Sequence, residues 1–399
     1  MNPIIEKLFK ISSKKKRLII GLMSGTSMDG LDIALCVCRG AGSSLEVEVL
    51  NFLTAPYEDD FRDEIKSVFS RRDADLQYVC ILNEVIGIRH GELILEALAR
   101  WNISPSAVDL IASHGQTIYH APLNLHQLPK YPDATLQIGD GDHIAVKTGI
   151  ITLSDFRQKH LAAGGEGAPL AVYGDYLMFS KKGENRVMLN IGGISNFTYL
   201  PADGDATGVF STDIGPGNTL MDQFIQAHFP GIYYDKDAEL ARSGKPNNAL
   251  LESLSANDFL LADFPKTTGP ELFNLKYLEQ AQQASGTEGL SKPDVMATLC
   301  HFTAQEIVRA IQKCFMPEDQ LNIYMSGGGM HNPLLVSLIK SGLHHALFAT
   351  TDSLGINPDA KEAVLFAVLA NETVAGEPIS FGNRQGVPSV CMGKISLPK

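Results

Sequence analysis

The chain has 399 residues, a formal net charge of −12, 44% hydrophobic residues and 20% charged residues. That length exceeds one ordinary core, so the chain reads as a soluble globular protein of two domains. Its acidic balance excludes a nucleic-acid binder, which needs a basic surface against phosphate backbones, and no apolar run reaches the ~20 residues that span a bilayer.

The six cysteines, Cys36, Cys38, Cys80, Cys300, Cys314 and Cys391, form no CxxC pair. They read as reduced, mostly buried thiols of a cytoplasmic protein, not as zinc ligands or a redox centre. Residues 1–16 read as a variable helical or disordered leader. The basic run Lys14–Arg17 precedes only about six apolar residues, shorter than the apolar region of a signal peptide.

Leu18–Met23 and Leu31–Val37 are apolar strands on either side of a small, polar tip, SGTSMDG, and Leu45–Leu53 alternates as a third strand. Phe61–Phe69 and Leu76–Arg100 have helical spacing, the second with Val79, Ile81, Leu82, Val85 and Ile86 as its core residues. Leu110–Ser113 is a short buried strand that runs into SHGQT. ATLQIGDGDHIAVKTGI reads as strand, turn and helix, with Asp140 or Asp142 at the helix start.

After Gly149 the pattern restarts. Ile150–Phe156 is a strand, and AAGGEGAPL is a glycine-rich loop that opens a helix, with Pro169 in its first turn. RVMLNIGGISNFTYLP is again strand, glycine tip, strand. VFSTDIGPGNTLMDQFI is a strand, a sharp bend and a helix; Asp294–Phe315 is a long helix. LNIYMSGGGMHNPLL is a third strand–glycine–helix junction, Ala360–Ala375 an amphipathic helix, and Pro388–Leu397 a final strand. The same unit therefore occurs twice, about 170 residues apart, which predicts two related α/β domains with a glycine-tipped hairpin from each at the cleft. The expected bounds are 1–149 plus about 382–399 for one domain and 150–381 for the other.

The tip Ser24–Gly30 combines glycines that expose backbone N–H groups with the hydroxyls of Ser24, Thr26 and Ser27, a composition suited to phosphate oxygens. It lacks the lysine of a GxxxxGK[ST] loop. Asp29 would repel a bare phosphate and belongs beside a metal ion. The plain alternative, an ordinary hairpin turn, leaves so many hydroxyls unexplained. At Asn190–Asn196, Gly192 and Gly193 allow close approach to a ligand, and a simple tight turn explains them equally well. Asp213 ends an apolar strand before the rigid Gly215-Pro216-Gly217 bend, a placement that suits a general base more than a cap. Gly327, Gly328 and Gly329, ahead of a helix starting near Asn332, suit a purine face or an α-phosphate. His114, Gln116, Asp155 and Arg157 follow apolar strands and can line a pocket, where Arg157 can grip a carboxylate or phosphate with two N–H groups. Glu362 opens an apolar helix and reads either as a ligand or as a solvated first-turn residue.

Taken together, GLMSGTSMDGLDIAL, SHGQTIYH, LQIGDGDHIAVKTGI, DFRQKHLAAGGEGAPL, LNIGGISN, DIGPGN, YDKDAELARSG and GGGMHNPLL resemble, in order from about Leu18 to the C-terminus, the anhydro-N-acetylmuramic acid kinases. The resemblance implies the two-domain actin-like ATPase fold of the sugar kinases and heat-shock ATPases, a mixed sheet in each domain, with ATP and Mg²⁺ as cofactors. It implies hydrolytic opening of a 1,6-anhydro bridge coupled to phosphorylation of O6, a small-molecule anhydrosugar substrate and a homodimer. By the same resemblance, Asp213 activates the attacking water. Gly25, Thr26, Ser27, Met28, Asp29, Gly30, Leu31 and Asp32 form the first ATP-binding segment. Gly192, Gly193, Gly215, Gly217 and Asn218 join it around the phosphates, and Gly327, Gly328, Gly329 and Asn332 face the adenosine side. Asp29, Asp213 and Glu362 are the expected carboxylates near magnesium, and His114, Gln116 and Arg157 the expected sugar-pocket residues. Two positions depart from the family pattern: Glu166 stands where glutamine is usual and Pro270 where arginine is usual. A levoglucosan kinase and a non-catalytic actin-like switch are the competing readings; the second is opposed by Asp213, Asp29 and Glu362.

Overall fold

A computed structural model of the protein describes residues 2–25, 28–269, 271–316, 319–382 and 386–399. Its twelve strands are β1 (Lys16–Ser24), β2 (Gly30–Arg39), β3 (Glu46–Pro56), β4 (Leu110–Ala121), β5 (Ala134–Ile138), β6 (Ile151–Ser154), β7 (Asn185–Ile191), β8 (Ile194–Leu200), β9 (Phe210–Pro216), β10 (Leu321–Ser326), β11 (Leu347–Thr350) and β12 (Lys394–Ser396). The chain divides into two compact units, residues 1–179 with 355–399, and residues 180–354.

The first unit holds a 7-stranded sheet in the order β12-β6-β4-β1-β2-β3, with β5 paired to β4. β1, β2 and β3 form an antiparallel meander, while β4 lies parallel to β1 and β6 parallel to β4. The second unit holds a 5-stranded sheet in the order β11-β10-β7-β8-β9. Again three strands form an antiparallel meander, β10 lies parallel to β7, and β11 lies parallel to β10. Both sheets thus share one plan: a meander whose first strand receives two further parallel strands. That repeated plan is the actin-like ATPase fold, and it bears out the duplication legible in the sequence.

The unit bounds differ from those expected at 149/150 and 381/382. β6 pairs with β4, and the helix Lys361–Ala375 packs on β1, β2 and β4, so both belong to the first sheet. Strand pairing, which joins segments distant in sequence, decides the boundary. That helix is also buried along nearly its whole length from Ala363 to Glu372, instead of showing the one-sided burial of an amphipathic helix.

β1 is buried on both faces. On one side Ile20 and Leu22 join a core with Ile33, Leu35, Ile86 and Ile94. On the other, Gly21 meets the helix Lys361–Ala375 so closely that an added Cβ would stand 1.9 Å from the Ala363 carbonyl oxygen. The helix Leu76–Arg100 has the expected bounds, with Asp75 accepting from the Gln77 and Tyr78 amides at its N-cap. Its core side differs from expectation: Leu82 and Ile86 are buried, whereas Ile81 and Val85 are exposed. β4 runs on through SHGQT as one strand to Ala121, and Asp140 caps the helix Gly141–Thr148. The leader forms a helix, Pro3–Ser12. Cys36 and Cys38 are buried, but Cys80 is exposed.

In the second unit the core runs from Val187, Leu189 and Ile191 of β7 through Phe197 and Ile214 to the long helix Lys292–Cys314. Among the described residues, no helix is long and apolar enough to cross a membrane. The contact at Gly21 generates a stability prediction. Gly21→Ala must displace helix backbone and lowers unfolding free energy by about 1–3 kcal/mol or more. Urea denaturation followed by circular dichroism measures it; an unchanged midpoint would refute this packing.

Candidate active site

In the first unit, the parallel pairing of β1 and β4 sets Ser24 opposite Gln116 at the ends of their ladder. The tip that follows Ser24 includes Thr26 and Ser27, which lie outside the described residues. Gly25 accepts at its carbonyl from the Met28 amide (3.3 Å), and the Asp29 carbonyl accepts from the Tyr57 amide (3.1 Å). Met28 and Leu31 place their side chains in the core, so only their backbone is available to a ligand. Gly30 packs against β3, where a Cβ would sit 2.6 Å from the Ala55 carbonyl oxygen. Gln116 is fully buried. Its amide is engaged with Ser24 Oγ, the Gly25 carbonyl and the Thr117 carbonyl, so it supports the tip from behind and does not line an open pocket.

Asp32, just inside β2, accepts from Thr54 Oγ1. Burial pushes its carboxyl up to about 6 against that hydrogen bond, with further upward pressure from Asp29, Glu362 and Asp359. Glu362 remains accessible to water. Its surroundings are nevertheless dense enough to raise its carboxyl, with Lys361 and Arg157 opposing. Lys361 in turn pairs with the buried Asp175 at 2.8 Å. Asp32 thus sits at the start of β2 under the negative charges of Asp29, Glu362 and Asp359.

His114 and Arg157 lie side by side. The Arg157 Nε–H donates to His114 Nε2 at 2.9 Å, and its Nη1 donates to the Gly167 carbonyl at 2.6 Å. Since Nε2 accepts, the imidazole carries its proton on Nδ1 and donates it to the Gly115 carbonyl (2.9 Å). Burial, then the Arg157 charge, holds His114 well below the usual histidine range, so it is neutral. Burial lowers Arg157 only to about 10, so it stays cationic at neutral pH. Its Nη2 has no protein partner among the described residues. Asp155, by contrast, pairs with Lys394.

The loop Gly164–Gly167 is held from below by His160, a residue the sequence reading passed over. His160 is buried, and its Nδ1 accepts from the Gly167 amide at 3.0 Å. Its ring fills the space where a Cβ on Gly165 would lie, 2.2 Å from Cε1. Burial lowers this histidine to about 4. Gly167 is thus fixed at both its N–H and its carbonyl, the second by Arg157. Glu166, the departure from the family pattern, is exposed on this loop.

In the second unit, three glycine segments converge. The Gly193 carbonyl accepts from the Gly217 and Thr219 amides (2.8 and 3.1 Å), and the Gly192 carbonyl accepts from Asn218 (2.8 Å). Gly217 approaches so closely that a Cβ would stand 2.2 Å from the Gly192 oxygen; one on Gly329 would stand 2.3 Å from Ile191. At Gly327, which has φ +81°, a Cβ would stand 2.7 Å from both Asn190 Oδ1 and the Ile191 carbonyl oxygen. Gly215 packs on Leu260. These glycines serve backbone packing. Gly192, Gly193 and Gly328 differ: a Cβ on any of them would meet nothing nearer than 3.5 Å. Since the carbonyls of Gly192 and Gly193 are engaged, their N–H groups are the ones left without a protein partner among the described residues. Asn332 caps the helix Pro333–Gly342, accepting from the Leu335 amide at 2.9 Å, so its side-chain oxygen is already used.

Asp213 lies in β9, and the segment Lys266–Thr268 runs against it. The Asp213 amide donates to the Lys266 carbonyl, and Asp213 Oδ2 accepts from the Thr268 amide, both at 2.9 Å. Lys266 anchors that segment: its Nζ donates to the Phe259 and Leu260 carbonyls (2.7 and 3.1 Å) and lies over the Phe259 and Phe264 rings. Burial raises the Asp213 carboxyl to about 6, opposed by the Thr268 amide and assisted by Glu271. Oδ1 has no protein partner among the described residues. A fixed carboxylate with one free oxygen and a pKa near neutrality suits proton abstraction. Pro270 lies outside the described residues. Among the described residues, no group of three or more histidine, cysteine, aspartate or glutamate side chains is close enough to hold a metal by itself.

The family model for anhydro-N-acetylmuramic acid kinase matches residues 17–396. An anhydro-N-acetylmuramic acid kinase from Pseudoalteromonas atlantica is 54% identical over 100% of both chains. One from Caldanaerobacter subterraneus is 38% identical over 98% of this chain and 100% of its own. Among solved structures, the chain is similar to a ROK family glucokinase from Streptomyces griseus, with a TM-score of 0.34 and 12% identity over 88% of this chain and 98% of that one. With the family matched over nearly its whole length and a relative aligned end to end, the chain belongs to the anhydro-N-acetylmuramic acid kinase family.

Proposed function

We propose that the protein converts 1,6-anhydro-N-acetylmuramic acid, ATP and water into N-acetylmuramic acid 6-phosphate and ADP. The observation that carries this reading is Asp213, with Oδ2 pinned by an amide and Oδ1 free. The water oxygen bonds to C1 as Asp213 takes its proton. The C1–O6 bond breaks, O6 bonds to the γ-phosphorus, and the bond from that phosphorus to the β-phosphate oxygen breaks to release ADP. The free N–H groups of Gly192 and Gly193 suit phosphate oxygens. Arg157, cationic and with Nη2 unengaged among the described residues, suits the lactyl carboxylate of the muramic sugar, a group levoglucosan lacks.

A divalent cation fits this chain. The negative charges of Asp29, Asp359 and Glu362 that act on Asp32 are offset by a hard cation, and Mg²⁺ needs only one or two carboxylates beside phosphates and water. Asp29 and Glu362 are the residues to hold it. Bound there, it neutralises phosphate charge during transfer.

Three outcomes are expected. Purified protein with ATP and Mg²⁺ consumes 1,6-anhydro-N-acetylmuramic acid, read as ADP release; an inert muramic sugar beside rapid turnover of levoglucosan would overturn the substrate. Asp213→Asn lowers kcat by about 10²–10⁴-fold, while nucleotide affinity by calorimetry is unchanged; an active variant would remove Asp213 as the base. The base works only when ionised, so kcat/KM for the sugar is level above pH 7 and falls as the pH drops through about 6. A profile flat down to pH 4.5 would contradict that assignment.

A further inference from the structure

The residues behind the first tip form a buried hydrogen-bond chain that none of the roles above uses. Its direction can be read from one end. Gln116 Nε2 spends its two N–H groups on the Gly25 and Thr117 carbonyls, both at 3.2 Å. Its Oε1 is then the acceptor for Ser24 Oγ–H at 2.5 Å. Ser24 has no second proton, so its oxygen accepts from the Tyr57 hydroxyl at 2.9 Å. Tyr57 has likewise spent its proton, so its oxygen accepts from His90 Nε2–H at 2.8 Å. The chain therefore runs His90 to Tyr57 to Ser24 to Gln116 to the Gly25 carbonyl. Tyr57 also holds the far end of the tip, where its backbone amide donates to the Asp29 carbonyl at 3.1 Å.

We propose that Tyr57 and His90 are positioning residues for the nucleotide. Tyr57 clamps the tip at both ends, and His90 supplies the terminal donor that fixes the orientation of the hydroxyl chain.

An independent observation points the same way. With the proton on Nε2, His90 Nδ1 is a buried acceptor with no donor among the described residues. The ring is fully buried, and burial lowers it to about 3, so protonation does not rescue Nδ1. An apolar side chain would fill this site without an orphaned atom, so stability alone does not account for an imidazole here. A donor at Nε2, aimed at Tyr57, does account for it.

The inference rests on reading Ser24–Gly30 as a phosphate-binding tip. Its test is steady-state kinetics on the full chain, with melting temperature recorded for each variant. Tyr57→Phe raises the KM for ATP about three- to tenfold, the loss of one hydrogen bond, while the KM for the sugar and kcat stay within about twofold. The Tyr57→Phe, His90→Leu double variant is no worse than the worse single one, because the chain is already cut. His90→Leu raises the KM for ATP, and His90→Gln, which restores an N–H near Nε2, brings it back. Additive effects, equal rises in both KM values, or a lowered melting temperature with unchanged KM for ATP overturn the proposal. Asp29→Asn separates the two levels. If it raises the KM for ATP while Tyr57→Phe does not, only the clamp fails; if neither does, the tip reading fails with it.

Discussion

The arrangement depends above all on parallel pairing. β1, β4 and β6 run the same way, so their C-terminal ends fall on one edge of the first sheet. That edge receives the Ser24–Gly30 tip, Gln116 and the His114–Arg157 pair, which the chain separates widely. β7, β10 and β11 do the same in the second sheet, collecting the Gly192–Gly193 tip and the Gly327–Gly329 loop. Ligands of open α/β sheets gather at such edges because loops and helix starts there leave N–H groups unpaired. The meander on the other side of β1 and β7 serves a different end. It makes each tip a hairpin, whose short connection is held by two neighbouring strands.

Glycine does two jobs at these edges. Gly217, Gly327 and Gly329 bring three backbone segments within van der Waals contact and have no room for a side chain. Gly192, Gly193 and Gly328 have room and leave it empty. The first set builds a stiff scaffold; the second leaves a face of backbone open to a ligand. Rigidity matters because phosphoryl transfer is catalysed mainly by placing groups accurately.

Burial sorts the titratable groups by role. It keeps His114 neutral, so that its Nε2 can accept from Arg157, and leaves Arg157 charged. It lifts Asp213 to about 6, where a carboxylate is ionised at neutral pH yet basic enough to take a proton. His90 and His160, driven to about 3 and 4, are fixed as neutral hydrogen-bonding parts. These five side chains thus take their protonation states from their surroundings.

The sequence by itself determined the local elements and their repetition. Apolar alternation, glycine tips and cap residues such as Asp140 act between near neighbours, so β1, β2, β7, β8 and the helix Leu76–Arg100 were all readable. It also singled out Asp213 as a candidate base, because a carboxylate between an apolar strand and the rigid Gly215-Pro216-Gly217 bend exceeds what a cap requires; Arg157 stood out only together with its neighbours. Tertiary structure decided what depends on partners far along the chain. The division into units followed from the pairing of β6 with β4, which no local pattern announces. Ile81 and Val85 look like core but are exposed, because periodicity gives a helix its apolar stripe without saying which part is covered. Gln116 looked like a pocket residue and proved to be a buried support. Thr268, Lys266, Tyr57, His90 and His160 carried no visible signal, since each acts through hydrogen bonds or ring contacts that no local pattern announces. Such contacts exist only once the chain is folded, because their energy comes from geometry and desolvation that residue type alone does not encode.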